Sequence, residues 1–260
     1  MNRNFKTILA VGMTAVLVAC GSSKSAAEPQ PASGSADDSQ VAGESIDPQR
    51  VANRNVAFDQ YFEEIKADAA PVSPDENGFV RRWTIIEPIN KPNSGNTVFT
   101  DSYIRNAFVE TEYFPNQFSV IPNDGDVVKV GDQELKWHQI ESNMFNVKLF
   151  RFATGLDKQK YGVIFWAVTI IECEEEMKDV RLAVGSNSAS MWWLNGEEAM
   201  ILSGDRRMVA DDGISQRLTL KKGKNVLRGA VINGPGMSDF CVRFYDSNNE
   251  ILKDLNIVLN

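Results

Sequence analysis

From Gly78 to the end, the chain is cut into short runs rich in Val, Ile, Phe, Trp and Thr, separated every few residues by Gly, Pro, Asn or Asp. No helical period is sustained in this stretch, so an all-β fold with two sheets is what these residues can build. The runs place strands at 80–87, 106–113, 127–130, 134–139, 146–151, 162–171, 178–184, 189–194, 198–201, 216–220, 225–232, 240–245 and 256–259. Turns fall at Asn123-Asp124-Gly125-Asp126, at Lys221-Lys222-Gly223-Lys224 and at Asn195-Gly196. The last is the strongest hairpin signal, because a type I′ turn requires positive φ at both central residues.

Upstream the texture differs. Val51, Phe58, Tyr61, Phe62 and Ile65 recur at helical spacing among charged residues, which predicts one amphipathic helix between Asp47 and Ala70. Pro71 and Pro74 stop it. Residues 21–46 are Ser, Ala, Gly, Pro, Asp and Glu with almost nothing large and apolar, a composition that cannot offset its own ordering entropy. It reads as a disordered tether. About 26 such residues reach roughly 25 to 30 Å.

The first residues carry Arg3 and Lys6, followed by an uncharged apolar run from Thr7 to Ala19. That is the head and middle of a signal peptide. The run is about 13 residues long, against roughly 20 needed to cross a bilayer as a helix. It ends in Leu17-Val18-Ala19-Cys20, which resembles the bacterial lipobox. The resemblance implies cleavage before Cys20 and a lipid anchor on it, holding the protein essentially permanently at a membrane. Gly21 in place of aspartate resembles the outer-membrane sorting pattern. The expected order is a lipoprotein signal peptide (1–19), a lipidated cysteine with its tether (20–46), a helix and connector (47–77), and a β-sandwich (78–260).

A formal charge of −8 makes nucleic acid a poor partner. Beyond Cys20 there are two cysteines, Cys173 and Cys241, read as separate thiols, and a single histidine, His138, read as structural. Their spacing matches no metal site, and no cofactor is called for.

Within 161–246, an aromatic strand (Val163 to Val168) is followed by Val180 to Ser186, Trp192-Trp193-Leu194-Asn195-Gly196, Asp205-Arg206-Arg207, Leu218 to Leu227 and Phe240 to Asp246. Together these resemble the galactose-binding-like jelly roll that accompanies glycoside hydrolases and polysaccharide esterases. The resemblance covers about a third of the chain and implies a β-sandwich of carbohydrate-binding type. In that family two aspartates commonly follow the Gly185-Ser186 position, where this chain has Asn187 and Ser188. If Trp192 and Leu194 face inward, Trp193 points the other way. Trp193 is thus the aromatic to test against a sugar ring, with Asn195, Arg206, Arg207, Asp211 and Asp212 as the polar contacts. The other reading has Trp193 covering the sheet or capped by the N-terminal helix, Asn195 as a turn residue and the loop charges as structural ion pairs.

No catalytic constellation is found. Gly185-Ser186-Asn187-Ser188-Ala189 lacks the last glycine of a nucleophile elbow. Glu172, Glu174, Glu175 and Glu176 are crowded on one turn, whereas a glycosidase needs two carboxyls facing each other about 5 to 10 Å apart. The chain therefore reads as a non-catalytic envelope lipoprotein that binds glycan. The other readings are an assembly lipoprotein holding an envelope protein or enzyme partner, and the accessory domain of a carbohydrate esterase or glycosidase.

Overall fold

The computed structural model describes residues 58–66 and 68–260. The signal peptide, Cys20, the tether and the first half of the expected helix lie outside the described residues.

The strands are β1 (Phe62–Glu64), β2 (Arg82–Ile86), β3 (Ile89–Asn90), β4 (Val127–Val130), β5 (Gln133–Ser142), β6 (Val163–Cys173) and β7 (Met177–Asn187). They continue with β8 (Ala189–Leu194), β9 (Glu197–Leu202), β10 (Gly213–Ile214), β11 (Leu218–Leu220), β12 (Gly223–Asn233), β13 (Asp239–Tyr245) and β14 (Asn256–Val258). Two short helices interrupt them, α1 (Asp101–Arg105), which runs on into a π-turn over Asn106–Glu110, and α2 (Leu149–Gly155). The larger sheet has the order β1-β5-β2-β6-β12-β8-β9, with β3 and β14 also on β6 and β4 on β5. In the smaller one β7 pairs with β10, β11 and β13. All pairings are antiparallel, and the fold is an all-β sandwich.

The sheets meet over Trp83, Phe165, Leu182, Trp192, Leu227, Phe240 and Phe244, all buried in one cluster. The far face of the larger sheet is covered as well. Trp137, Ile164, Trp166, Met191, Trp193 and Ala230 pack there against Phe99, Ile104, Phe108 and Phe114 from the segment around α1. Burial on both faces explains why β6 is apolar at nearly every position instead of alternating.

Three expected elements differ. The stretch 106–113 is not a strand: Ile104, Ala107 and Phe108 lie on helical spacing, and Thr100 caps α1 by accepting from the Tyr103 amide at 3.3 Å. Likewise 146–151 runs into α2, which buries Leu149, Phe152 and Ala153 at helical intervals. Of the helix expected at 47–70, the described residues Phe58 and Asp59 are helical, after which the chain turns into β1, whose Phe62 pairs with Ser142 on the edge of β5. Phe58 and Phe62 pack on Phe152, with ring centroids 6.3 and 6.1 Å away. That edge offers backbone partners, so Phe62 buries from a strand where Phe58 buries from a helix end.

Candidate functional site

The residues picked from sequence separate into three places. Trp193 is 4% exposed. Its ring stacks on Trp166 at 5.5 Å and 13°, with Phe118 against it at 5.2 Å. The alternation along β8 holds, but the other side of the sheet is a second core, and Trp193 belongs to it. This corrects its expected role at a sugar.

Asn195 sits at the β8–β9 turn with φ 53°, followed by Gly196 at 85°, as a type I′ hairpin requires. Its side chain is used up internally, donating to Asn225 Oδ1 and accepting from the Val226 amide, both at 2.9 Å. Glu197, Arg217, Thr219 and Lys221 line a groove of about 280 Å³ beside it. Asn195 is therefore a turn residue.

Arg206 and Asp212 pair with each other, Arg206 Nε donating at 2.8 Å. Asp211 accepts from Arg243 Nε at 2.9 Å and from the Tyr245 hydroxyl at 2.7 Å. Burial pushes the Asp211 carboxyl up, but the bonds from Arg243 and Tyr245 outweigh it and hold the pKa below the ordinary value. These three residues are occupied by structure. Arg207 alone of the loop group is exposed without an ion pair among the described residues.

Sequence reasoning missed the far end of the sandwich, opposite the Asn195 hairpin. There β7 leaves the smaller sheet at Asn187 and β8 enters the larger one at Ala189, with Ser188 as the only residue between. Ser188 takes φ 74°, a left-handed conformation that a side chain adopts at a cost and that clusters at functional sites. Its amide donates to the Arg206 carbonyl at 3.1 Å. Next to it β12 ends at Asn233, whose Nδ2 donates to the Lys160 and Gly236 carbonyls at 2.7 and 3.2 Å. Asn93 Nδ2 reaches the Asn233 carbonyl at 3.2 Å. Asn96 ties three loops, donating to Asp205 Oδ1 at 2.8 Å and accepting from the Gly234 amide at 3.1 Å. A Cβ at Gly234 would lie 2.4 Å from Asn96 Oδ1 and 2.7 Å from Asn93 Oδ1, so any side chain there would displace both amides from this approach.

Eleven buried side-chain nitrogen or oxygen atoms among the described residues lack a hydrogen-bond partner, and six of them gather here. They are Asn93 Oδ1, Asn146 Oδ1, Ser188 Oγ, Asn233 Oδ1, Ser238 Oγ and Asp239 Oδ1. Asp239, opposite Asn187 in the register, spends its other oxygen on Asn146 Nδ2 at 2.8 Å and Lys148 Nζ at 2.9 Å. Beside Asn233, Tyr161 stands 44% exposed. From β6 across β12 and β8 to β9 the strand ends span about 14 Å, three steps of roughly 4.8 Å. These six oxygens are shut off from solvent, and the polar side chains that open at this end beside Tyr161 are Asn187 and Arg207. The signal in the sequence was Asn187-Ser188, where the resembled family carries acids, together with Asn233-Gly234.

His138 lies away from this end. Its Nε2 is 3.3 Å from Glu87 Oε1, Lys158 Nζ is 2.9 Å from Glu87 Oε2, and the imidazole packs edge-on to Phe152. Burial lowers the His138 pKa more than Glu87 raises it. Of the acidic turn, Glu175 pairs with Lys222 and Glu176 with Lys178. Cys173 and Cys241 are both free and buried. No group of three or more His, Cys, Asp or Glu among the described residues could hold a metal, and no described helix is long and apolar enough to cross a membrane.

No family model and no curated protein matches the chain. Among solved structures it is similar to the PA14 sugar-binding domain from an RTX adhesin, at TM-score 0.43 and 8% identity over 70% of this chain and 100% of that one. It is similar to the PA14 domain of the antifreeze protein MpAFP, at 0.40 and 9% over 74% and 96%. A third likeness is to a β-glucosidase from Kluyveromyces marxianus in complex with glucose, at 0.33 and 18% over 47% of this chain and 16% of that one. Likenesses at this level assign no role to any residue here.

Proposed function

We propose that this protein is a non-catalytic envelope lipoprotein that holds glycan at the loop end of its sandwich, tethered by lipid on Cys20 to the outer membrane. The observation that carries this reading is that Asn187 and Arg207 open beside exposed Tyr161, over a buried cluster of unpartnered Asn, Ser and Asp oxygens around Ser188 and Asn233. Hydroxyls of a sugar would bond to Asn187 and Arg207 at the rim of this end, and its apolar C–H face would lie on the tyrosine ring. The jelly-roll resemblance over 161–246 supports the same reading, as does the lipobox for the anchor.

Asn187 and Arg207 are the side chains best placed to make first contact, because neither is engaged by protein. Retention needs nothing more than affinity and an anchor. The test is a glycan array probed with the full-length protein, followed by Tyr161→Ala on any ligand found. Binding that Tyr161→Ala weakens supports the site. Binding that the variant leaves unchanged moves the site elsewhere, and an empty array removes the glycan reading in favour of an assembly role.

A further inference from the structure

A ladder of alternating rings and cations runs along the flank that carries α2. Arg151 lies over the Tyr61 ring with its guanidinium carbon 5.3 Å from the centroid, and 6.0 Å from that of Phe150. Lys160 Nζ continues it, 5.0 Å from the Phe150 centroid and 5.9 Å from that of Tyr161. Phe150 and Tyr161 themselves are 5.8 Å apart. Apart from Tyr161, which is exposed, every member is half-buried and accessible. Tyr161 also borders the loop end, so the ladder leads into the proposed glycan site.

The chain carries a net charge of −8. Neighbouring cations are already matched, Lys148 with Asp239 and Lys158 with Glu87. Arg151 and Lys160 have no carboxylate partner among the described residues. Two unmatched cations held in place by aromatic rings form a fixed positive track on an acidic protein.

We infer that this ladder binds the carboxylates of an acidic polysaccharide, a chain of uronate residues whose rings pass over Tyr61, Phe150 and Tyr161. The inference rests on the glycan reading and names the charge class of the ligand. Alternation suits a polymer that presents a ring and a carboxylate in every unit, since each finds its counterpart in turn. An anionic membrane would meet the same two charges, but it would also require protruding aliphatic side chains, and the ladder has none.

The experiment measures binding of the full-length protein to polygalacturonate and alginate, against methyl-esterified polygalacturonate, which keeps the backbone and removes the charge. Arg151→Gln/Lys160→Gln is run beside Asn187→Ala. The expected result is binding to the uronates that falls about tenfold on esterification or in the double variant, and that weakens with added salt. Equal binding of acid and ester, or an unaffected double variant, overturns the track. If Asn187→Ala still weakens binding in that case, the glycan reading survives alone. Binding to neither uronate overturns the inference, and retention on phosphatidylglycerol vesicles instead would make the flank a membrane contact.

Discussion

Trp193 lies flat on Trp166, ring centroids 5.5 Å apart and planes 13° from parallel, beneath Phe118. The pair joins β8 to β6 across the buried outer face of the larger sheet and anchors the segment around α1 against it. Trp193→Ala is therefore expected to lower unfolding free energy by about 3 to 5 kcal/mol. In urea at a concentration where the variant stays folded, its glycan affinity should equal that of the parent. A variant of full stability that loses binding would return Trp193 to the site.

Arg228 is buried in the same face, 2% exposed, with Nη2 donating to the Val120 carbonyl at 2.6 Å and Nη1 unpartnered. Burial pushes its pKa down to about 10. An uncompensated buried cation is poor stabilisation, and an apolar side chain of similar length does as well or better. Arg228→Met should change stability by less than about 1 kcal/mol, whereas Arg228→Ala should cost about 2 to 4 kcal/mol through the cavity it leaves. Chemical denaturation checks both. A loss of 3 kcal/mol or more in the Met variant would mean that the bond to Val120 holds the covering segment down.

Asp211 gives the fold an acid-sensitive contact. Its pKa is lowered from 3.8 in the folded protein, so the stabilisation from Arg243 and Tyr245 is fully present above that value and is lost as pH falls through the folded pKa. Asp211→Asn should cost about 1 to 3 kcal/mol at neutral pH. The gap between parent and variant should close in acid below pH 3.8, as thermal melts across pH would record. A gap that persists there would assign the cost to packing instead of charge.

Burial raises the pKa of Cys173, and raises that of Cys241 to about 12, so neither thiol should react in the native protein. With a thiol reagent in denaturant, protein isolated from membranes should titrate two thiols, because a thioether on Cys20 does not react. A third thiol would contradict the lipid anchor.

What the sequence disclosed depended on how local the cause was. The Asn195-Gly196 turn needs only two residues of positive φ, and it stands where the dipeptide placed it. The unbroken apolar run of β6 was equally legible, since burial on both faces leaves no position polar. Trp193 was left open between sheet cover and sugar contact, because alternation tells which side a residue faces and not what covers that side. The cover comes from the stretch around α1, where Ile104, Ala107 and Phe108 carry a helical period too brief to distinguish from a strand. Phe62 departed in the opposite sense: it follows the helical Phe58 by four residues, but the open edge of β5 draws it into a strand. The loop end was least visible. Asn93, Asn187 and Asn233 lie far apart in sequence, and only the antiparallel register of β6, β12 and β8 brings their loops together.

The central claim is that ligand is held at the Ser188 and Asn233 end and not at the Asn195 hairpin end. The most direct measurement is isothermal titration of a bound glycan into Asn187→Ala and, at the other end, Glu197→Gln in the hairpin groove. Asn187→Ala should weaken binding about tenfold, the loss of roughly one hydrogen bond to a ligand hydroxyl, with Glu197→Gln binding as the parent does. An unaffected Asn187→Ala beside a weakened Glu197→Gln would contradict the account and put the ligand in the groove.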